Sequence, residues 1–320
     1  SSLSVCLLQR SVQQYQHRDF SNDTAGFQQL CTFLAEAGAG THNCVVCLES
    51  TGVYSERLCH HLHDCGFALA CEAPQKVQRA MHKQYKNDSI DARQIADYAW
   101  RYVDQLHWWK PPQQIMQQLR AVANARELLL QQRRATKNML IALQCKATEC
   151  PQAQEVLLQH VEFLEQQMKL LQLQMELLLQ QQQSLKDEHQ LLLSIPGVGT
   201  LLSVQILLLK QTLPAMNPKV LAAYLGICPH EHSSGSSVLR KPRSRRSGPG
   251  IFRRLLYLAA MSLCRNEKNF AAYMNRKVAQ GKPKRLILNN VSNKIIRLAC
   301  AVLNSATPFN AGFLDAPAAT

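Results

Sequence analysis

Residues 44–52 read Cys-Val-Val-Cys-Leu-Glu-Ser-Thr-Gly, an apolar run that ends in a carboxylate and a turn sequence. An uninterrupted apolar run of this length predicts a buried strand of an α/β sheet. Glu49 then stands at the carboxyl end of the strand, where such sheets place their ligands. The run also contains the pair Cys44 and Cys47, for which strand core is favoured over zinc or redox chemistry.

Residues 1 to about 110 alternate between strand-like and helix-like segments. Strands are predicted at Leu3–Leu8, Tyr15–Phe20, Cys44–Leu48 and Phe67–Glu72, and helices at Asp23–Ala37, Val53–Cys65 and Ser89–Tyr102. This mixture of strands and helices indicates an α/β or α+β layer domain.

After Pro112 the composition changes to Leu and Gln without a strand signal, up to about residue 192. Apolar residues recur there with a 3.5-residue period, at Leu157, Leu164, Leu171, Leu178, Leu185 and Leu192, and at Val161, Met168 and Met175. The pattern predicts a coiled coil that joins copies of the chain. A long amphipathic helix packed within its own chain has the same stripe, and Gln-rich disorder is a third alternative.

The positive charge is concentrated in one segment. The net charge is +14, and residues 240–297 contain sixteen basic residues and one acidic residue, Glu267. This distribution predicts a polyanion-binding surface. Nucleic acid is favoured over a membrane as the partner, because no amphipathic anchor accompanies the basic segment. The expected contacts are Arg240, Lys241, Arg243, Arg245, Arg246, Arg253 and Arg254.

Composition also limits the class of protein. An apolar fraction of 46% and a charged fraction of 18% exclude a disordered chain. Twelve cysteines without framework spacing, and no signal peptide, predict reduced, mostly buried thiols in a cytoplasmic protein. The uncharged stretch Leu191–Leu209 is interrupted by Pro196 and two glycines, so it predicts two helices joined by a turn instead of a membrane span.

A second acidic element, Asp88-Ser-Ile-Asp91, places two carboxylates on one helix face. Together with Glu49 they offer the oxygen ligands that Mg²⁺ prefers. The alternative is that Asp88 caps the helix and Asp91 complements its dipole.

Two further segments bear on nucleic acid. Gly197 and Gly199, between two apolar helical runs, predict a helix-hairpin-helix whose backbone N–H groups meet a phosphate; a plain turn between core helices is the alternative. Residues 233–237, Ser-Ser-Gly-Ser-Ser, precede the basic segment. A serine hydroxyl beside guanidinium groups can contact a phosphodiester. The alternative is that residues 233–237 are only a flexible linker.

Six ordered motifs resemble the DEDD transposases of the insertion-sequence 110 family, which includes the Piv-type DNA invertases. They are Cys47–Tyr54, Asn87–Arg93, Ser194–Gly199, Leu221–Pro229, Ser234–Ser236 and Gly250–Ala260. The resemblance implies a RuvC-like, RNase H-type domain over residues 1–110, a coiled-coil dimerisation segment over 111–192 and a helical transposase domain over 193–320. It implies that Ser234 is the nucleophile, that Glu49, Asp88 and Asp91 bind metal, and that a structured guide RNA and a dimer or tetramer take part.

In one respect the sequence departs from the family. The family's first strand and first Asp precede the segment that matches Leu3–Leu8, so we expect the natural protein to carry further residues upstream. The sequence therefore predicts a DNA recombinase that cleaves through Ser234 with Mg²⁺ at the carboxylates. The alternatives are a RuvC-like metal-dependent nuclease and a catalytically dead nucleic-acid-binding remnant.

Overall fold

A computed structural model describes residues 2–9, 12–50, 52–81, 87–213, 215–234, 238–244 and 248–310. Only the backbone is described for Val53 and for residues 229–234 and 238–244. The chain is mostly helical, with a small sheet region near its N-terminus. It forms two compact units, Ser1–Gln113 and Gln114–Thr320.

The N-terminal unit contains the predicted strands and helices. Its elements are β1 Ser2–Gln9, β2 Gln14–Ser21, α1 Thr24–Glu36, β3 Val45–Glu49, α2 Val53–Asp64, β4 Ala68–Glu72, α3 Pro74–Ala80 and α4 Asp88–Arg101. Helix α3 was not predicted, because Pro74 marks the end of a strand and also suits the first position of a helix. The structure thus confirms the alternation of strands and helices.

Two separate strand pairs make up the sheet structure of this unit. Strands β1 and β2 are antiparallel, and β3 and β4 are parallel. Within the described residues no ladder joins the two pairs. One core is formed by Phe20, Phe27, Leu30, Leu58 and Leu62, which come from β2, α1 and α2. The helices therefore bury their apolar faces on the strands, as the amphipathic pattern requires.

The second unit consists of eight helices and one hairpin in the described residues. They are α5 Gln114–Gln144, α6 Pro151–Gln180, α7 Gln183–Leu193, α8 Thr200–Thr212, α9 Pro218–Tyr224, β5 Pro229–Ser234, β6 Val238–Ser244, α10 Gly250–Asn266, α11 Lys268–Ala279 and α12 Lys284–Ser305. One core includes Met116, Met175, Leu207, Leu256 and Ile295. The predicted middle segment therefore shares its core with the C-terminal helices.

Two apolar stretches bear on membrane insertion. The stretch Leu191–Leu209 forms the end of α7, a turn and most of α8, which confirms the prediction of two helices. Helix α12 is long and apolar enough to cross a membrane by length and composition, and 56% of its apolar window is buried within the unit. Its apolar side belongs to the core, since Val291, Ile295 and Ala299 are each 1% exposed or less.

The predicted coiled-coil stripe lies inside the chain. Helices α5 and α6 pack against each other, and the short link between them makes the pair antiparallel. Leu164 and Met175 of the stripe are 1% and 0% exposed. The prediction that this stripe faces a second copy is therefore wrong, because α5 covers it. The alternative of an amphipathic helix packed within its own chain is the observed one.

A second apolar stripe of α6 is exposed. Val156, Phe163, Leu170 and Leu177 follow one another at seven-residue intervals and are 63%, 53%, 57% and 62% exposed. Seven-residue spacing keeps these side chains along one line of the helix. Exposed large apolar side chains in a continuous line are typical of an interaction surface.

The segment around Ser234 is a β-hairpin, which the sequence did not predict. Strands β5 and β6 pair antiparallel, with Ser234 opposite Val238 and Ser233 opposite Leu239. The predicted helical C-terminal domain thus carries a two-stranded hairpin between α9 and α10. Gly and Ser residues between the strands obscured the signal, because they also mark linkers.

One buried carboxylate connects β4 to α3 and to the segment around His107 in the N-terminal unit. Glu72, at the end of β4, is 1% exposed, and the Nζ of Lys76 on α3 lies 3.1 and 3.0 Å from its two carboxylate oxygens. The backbone N–H of His107 donates to Oε1 at 2.9 Å. Burial raises the pKa of Glu72, but these donors outweigh it and hold the pKa below its usual value. The carboxylate thus stays charged inside the unit.

We expect Glu72→Gln to lower the free energy of unfolding by about 1 to 2 kcal/mol at pH 7, because Lys76 then loses its anionic partner. A lowered folded-state pKa stabilises the fold above the unfolded value of about 4.3, and this contribution is lost as pH falls through the folded pKa. The deficit should therefore shrink in acid. Urea unfolding followed by tryptophan fluorescence measures it, since Trp100, Trp108 and Trp109 all lie in the N-terminal unit.

The matched control is Glu36→Gln, at an exposed position near the end of α1. It should leave the unfolding curve almost unchanged. A Glu72→Gln deficit that is absent, or equally large at every pH, would contradict the charge assignment.

Candidate active-site carboxylates and serine hairpin

Two carboxylates stand side by side where the parallel strands end. The register of β3 and β4 pairs Glu49 with Glu72. Residues paired in this way in a parallel ladder have side chains on the same face of the sheet. Two like charges in such positions repel each other unless one of them is neutralised. Lys76 and His107 supply that neutralisation to Glu72 alone.

Glu49 differs from Glu72 in both burial and partners. It is half-buried, and no hydrogen bond or ion pair to its carboxylate occurs within the described residues. Gly52, three residues after the strand, has a φ of 73° that suits glycine, and it is the N-cap of α2. The Glu49 carboxylate is therefore a candidate ligand for a cation at the edge of the sheet.

Asp88 and Asp91 lie in the first turn of α4. Asn87, and not Asp88, caps this helix, because its side chain accepts a hydrogen bond from the N–H of Ser89 at 3.2 Å. The interpretation of Asp88 as the cap is therefore wrong. Asp88 is exposed and Asp91 is half-buried. Both complement the positive end of the helix dipole, whether or not a cation is bound.

Helix α4 is held in place by contacts with the strands. It packs against β1 and β3, the strand that ends at Glu49. The hydroxyl of Tyr15 on β2 donates to Asp97 Oδ1 at 2.6 Å, and the Arg93 guanidinium lies 3.9 Å from the centre of the Tyr15 ring. The three predicted carboxylates thus belong to one unit, on elements that pack together.

Ser234 belongs to the other unit, at the last position of β5. The hairpin register sets His232 opposite Arg240 and His230 opposite Arg243, with an irregularity between the two histidines. Lys241 is in the same strand as Arg240 and Arg243. Arg245 and Arg246 lie outside the described residues. The backbone thus brings serine and three predicted basic residues into one hairpin.

The turn that contains Gly197 and Gly199 joins α7 to α8. Gly197 has a φ of 82°, and a Cβ there would lie 2.8 Å from the carbonyl oxygen of Ala259 on α10. Only glycine meets both conditions. Around Gly199, which precedes α8, a Cβ would meet nothing within 4 Å. Gly197 is thus required for packing, whereas the backbone at Gly199 is approachable.

Arg253 and Arg254 are adjacent on α10 but have different surroundings. The two terminal nitrogens of Arg254 donate to the two oxygens of Glu127 on α5, each at 2.5 Å. This hydrogen bonding lowers the pKa of Glu127. Arg253 Nη1 donates to the backbone oxygen of Gly248. Arg254 therefore ties α10 to α5, a role that the sequence did not predict.

The sequence patterns did not identify several residues that the structure shows to be important for packing. The i, i+4 spacing of Glu72 and Lys76 is a usable signal for an ion pair, but it spans a strand end and a helix start. The Glu127–Arg254 pair joins residues far apart in the chain, and no local pattern reveals it. Cys47 behaves as predicted for strand core, since burial raises its pKa to about 12.

Comparison with known proteins gives a consistent result along the chain. A model of DEDD transposases, described as Transposase, matches residues 1–144, and the model described as Transposase IS116/IS110/IS902 family matches residues 189–275. The first span contains Glu49, Asp88 and Asp91, and the second contains Ser234.

Two curated relatives match over almost the whole length. Pilin gene-inverting proteins of Moraxella bovis and Moraxella lacunata are each 24% identical over 330 residues, covering 97% of this chain and 95% of the relative. Members of the DEDD transposase family usually use a divalent metal. The chain belongs to the IS110 family of transposases and is a DNA recombinase enzyme.

Proposed function

We propose that this protein is a site-specific recombinase that breaks and rejoins DNA through Ser234, with a divalent cation held at Glu49, Asp88 and Asp91. The observation that carries the proposal is the full-length similarity to pilin gene-inverting proteins, whose name describes DNA inversion. The similarity spans both the acidic motifs and the serine hairpin. Inversion requires both cleavage and rejoining, so a nucleophile that conserves bond energy suits it.

The proposed step balances without a nucleotide cofactor. The Ser234 oxygen forms a bond to phosphorus while the bond between phosphorus and one sugar oxygen breaks. The proton lost by the serine hydroxyl is balanced by the proton that the departing sugar hydroxyl takes up. The phosphoserine linkage is again a phosphodiester, and a second DNA hydroxyl can reverse the step.

The carboxylates fit a hard divalent cation by their chemistry. Carboxylate oxygens are the preferred ligands of Mg²⁺, which would neutralise phosphate charge when bound. Glu49 supports this assignment because it is half-buried beside the fully compensated Glu72. Asp88 is exposed on the first turn of α4 and thus accessible to a ligand. We propose Mg²⁺ as the physiological ion.

We propose that the N-terminal unit is an RNase H-type, RuvC-like domain. An antiparallel pair, a parallel pair and packed helices are parts that an RNase H-type, RuvC-like sheet contains. The basic segment of residues 240–297 supports binding of DNA and of a structured guide RNA. We assign contacts to Arg240, Lys241, Arg243, Arg245, Arg246 and Arg253, with Gly197 and Gly199 in a helix-hairpin-helix.

We propose that copies of the chain associate through the exposed stripe of α6, Val156, Phe163, Leu170 and Leu177. A symmetric dimer uses the same patch on both partners, and a stripe with a seven-residue period is complementary to itself. A dimer could pair further into a tetramer. This surface replaces the inner stripe, which α5 already covers.

A metal-dependent nuclease is the second candidate. A cation held by Glu49, Asp88 and Asp91 could activate a water molecule that hydrolyses the phosphodiester. Ser234 would then be dispensable. A catalytically dead nucleic-acid-binding remnant would leave both groups dispensable. The variants Ser234→Ala and Glu49→Gln distinguish these three possibilities.

Ser234→Ala should abolish recombination of an invertible DNA substrate and the covalent protein–DNA adduct, because the attacking oxygen is lost. Binding of the same DNA should change less than about threefold, since the basic residues carry affinity. The matched control is Ser233→Ala, one position earlier in β5. Wild-type strand exchange by Ser234→Ala would reject the serine mechanism.

Glu49→Gln should reduce Mg²⁺-dependent recombination by about 100-fold or more while leaving the unfolding curve intact, because a charged ligand is lost at a half-buried site. The control is Glu72→Gln, at the residue paired with Glu49. It should show the opposite result, with a lower free energy of unfolding but retained activity at low temperature. Activity assays over a Mg²⁺ titration measure the difference. Equal activity losses in the two variants would show that Glu49 is only structural.

Replacing both Leu170 and Leu177 by Asp should dissociate the oligomer, because unpaired charges enter the apolar stripe. Sedimentation at several protein concentrations gives the mass. The control replaces Gln132 and Asn138, exposed on α5 and outside the stripe, by Asp. An unchanged mass in the leucine variant would assign the interface elsewhere.

A further inference from the structure

A cluster of two thiols and an imidazole lies away from the carboxylates and the serine. Cys31 is on α1, His61 is on α2, and Cys65 directly follows α2. His61 Nε2 lies 3.8 Å from the sulfur of Cys31 and 3.9 Å from that of Cys65. All three ligand atoms lie within 4.8 Å of one another.

These distances are close to those of a zinc site. Zn²⁺ binds thiolate sulfur at about 2.3 Å and imidazole nitrogen at about 2.1 Å, so a tetrahedron around it has edges of about 3.6 Å from nitrogen to sulfur and about 3.8 Å between sulfurs. The observed atoms need to close by only about 1 Å or less to meet that geometry. Thiolate and imidazole together select zinc over Mg²⁺.

We propose that Cys31, His61 and Cys65 bind one Zn²⁺ ion, a site separate from the catalytic metal. Three protein ligands leave a fourth position for water, and the exposure of Cys65 gives solvent access to it. The C-terminus of α2, where Cys65 caps the helix, favours a cation through the helix dipole.

The ion would clip α1 to α2. These two helices contribute Phe27, Leu30, Leu58 and Leu62 to one core, so a bond between them stabilises that core against opening. By contrast, the thiols of Cys59 and Cys71 also lie close, at 3.6 Å, but Cys59 is 1% exposed, and among the described residues no imidazole or further ligand side chain joins this pair in a possible metal cluster. That contact is therefore ordinary core packing.

The test uses the full chain, purified under reducing conditions, stripped of metal and titrated with Zn²⁺ against a chromophoric chelator. We expect one equivalent to bind, and Co²⁺ to give a thiolate-to-metal charge-transfer band. Replacing both Cys31 and Cys65 by Ser should weaken binding by about 100-fold or more and abolish the band. The control replaces Cys145 and Cys150, both exposed between α5 and α6, by Ser and should bind as the parent does.

A second pair of variants protects the test against misfolding. His61→Ala should lose the site, whereas His63→Ala on the same helix should keep it. Zn²⁺ should also raise the melting temperature reported by tryptophan fluorescence in the parent and not in His61→Ala. Equal zinc binding by His61→Ala and the parent would overturn the proposal. So would a Cys31–Cys65 disulfide, found by mass spectrometry, with no zinc uptake by the reduced chain.

Discussion

The compensation of one buried carboxylate organises the edge of the N-terminal sheet. Glu72 accepts a hydrogen bond from His107, and the following backbone then runs along β4, with Trp109 donating to Leu69 at 2.8 Å and Trp108 bridged to Ala70. Lys76 joins α3 to the same carboxylate. Without countercharge, Glu72 would repel Glu49 across the ladder and resist burial. Among the described residues, no side chain pairs with the carboxylate of the neighbouring Glu49.

Much of the fold followed from local patterns, because they act over a few residues. The alternation of apolar runs and helical periods predicted β1 to β4, α1, α2 and α4 to within a residue or two. The acidic motifs and the serine segment were likewise visible in sequence. The predictions that their side chains hold metal and attack phosphate remain predictions, since chemistry depends on geometry that a pattern does not fix.

The errors arose where a distant partner decides the outcome. A heptad stripe predicts that one side of a helix is buried, but it does not identify the element that packs against that side. On α6 the cover is α5, and a second stripe stays exposed. The Glu127–Arg254 pair likewise joins residues more than one hundred positions apart. The β5–β6 hairpin was missed because glycine and serine break strands and also connect them.

The two proposed chemistries stand in different units, each with its own core. The carboxylates depend on β3 and α4, whereas Ser234 depends on the β5–β6 hairpin. Because each unit has its own core, substitutions of the proposed metal ligands and of the proposed nucleophile do not share a core, and a double variant measures whether their effects on recombination add. Charge is divided in the same way, since the basic segment lies wholly in the second unit. Neutralising residues of the basic segment therefore alters the proposed polyanion contacts without removing any of the proposed metal ligands, Glu49, Asp88 and Asp91.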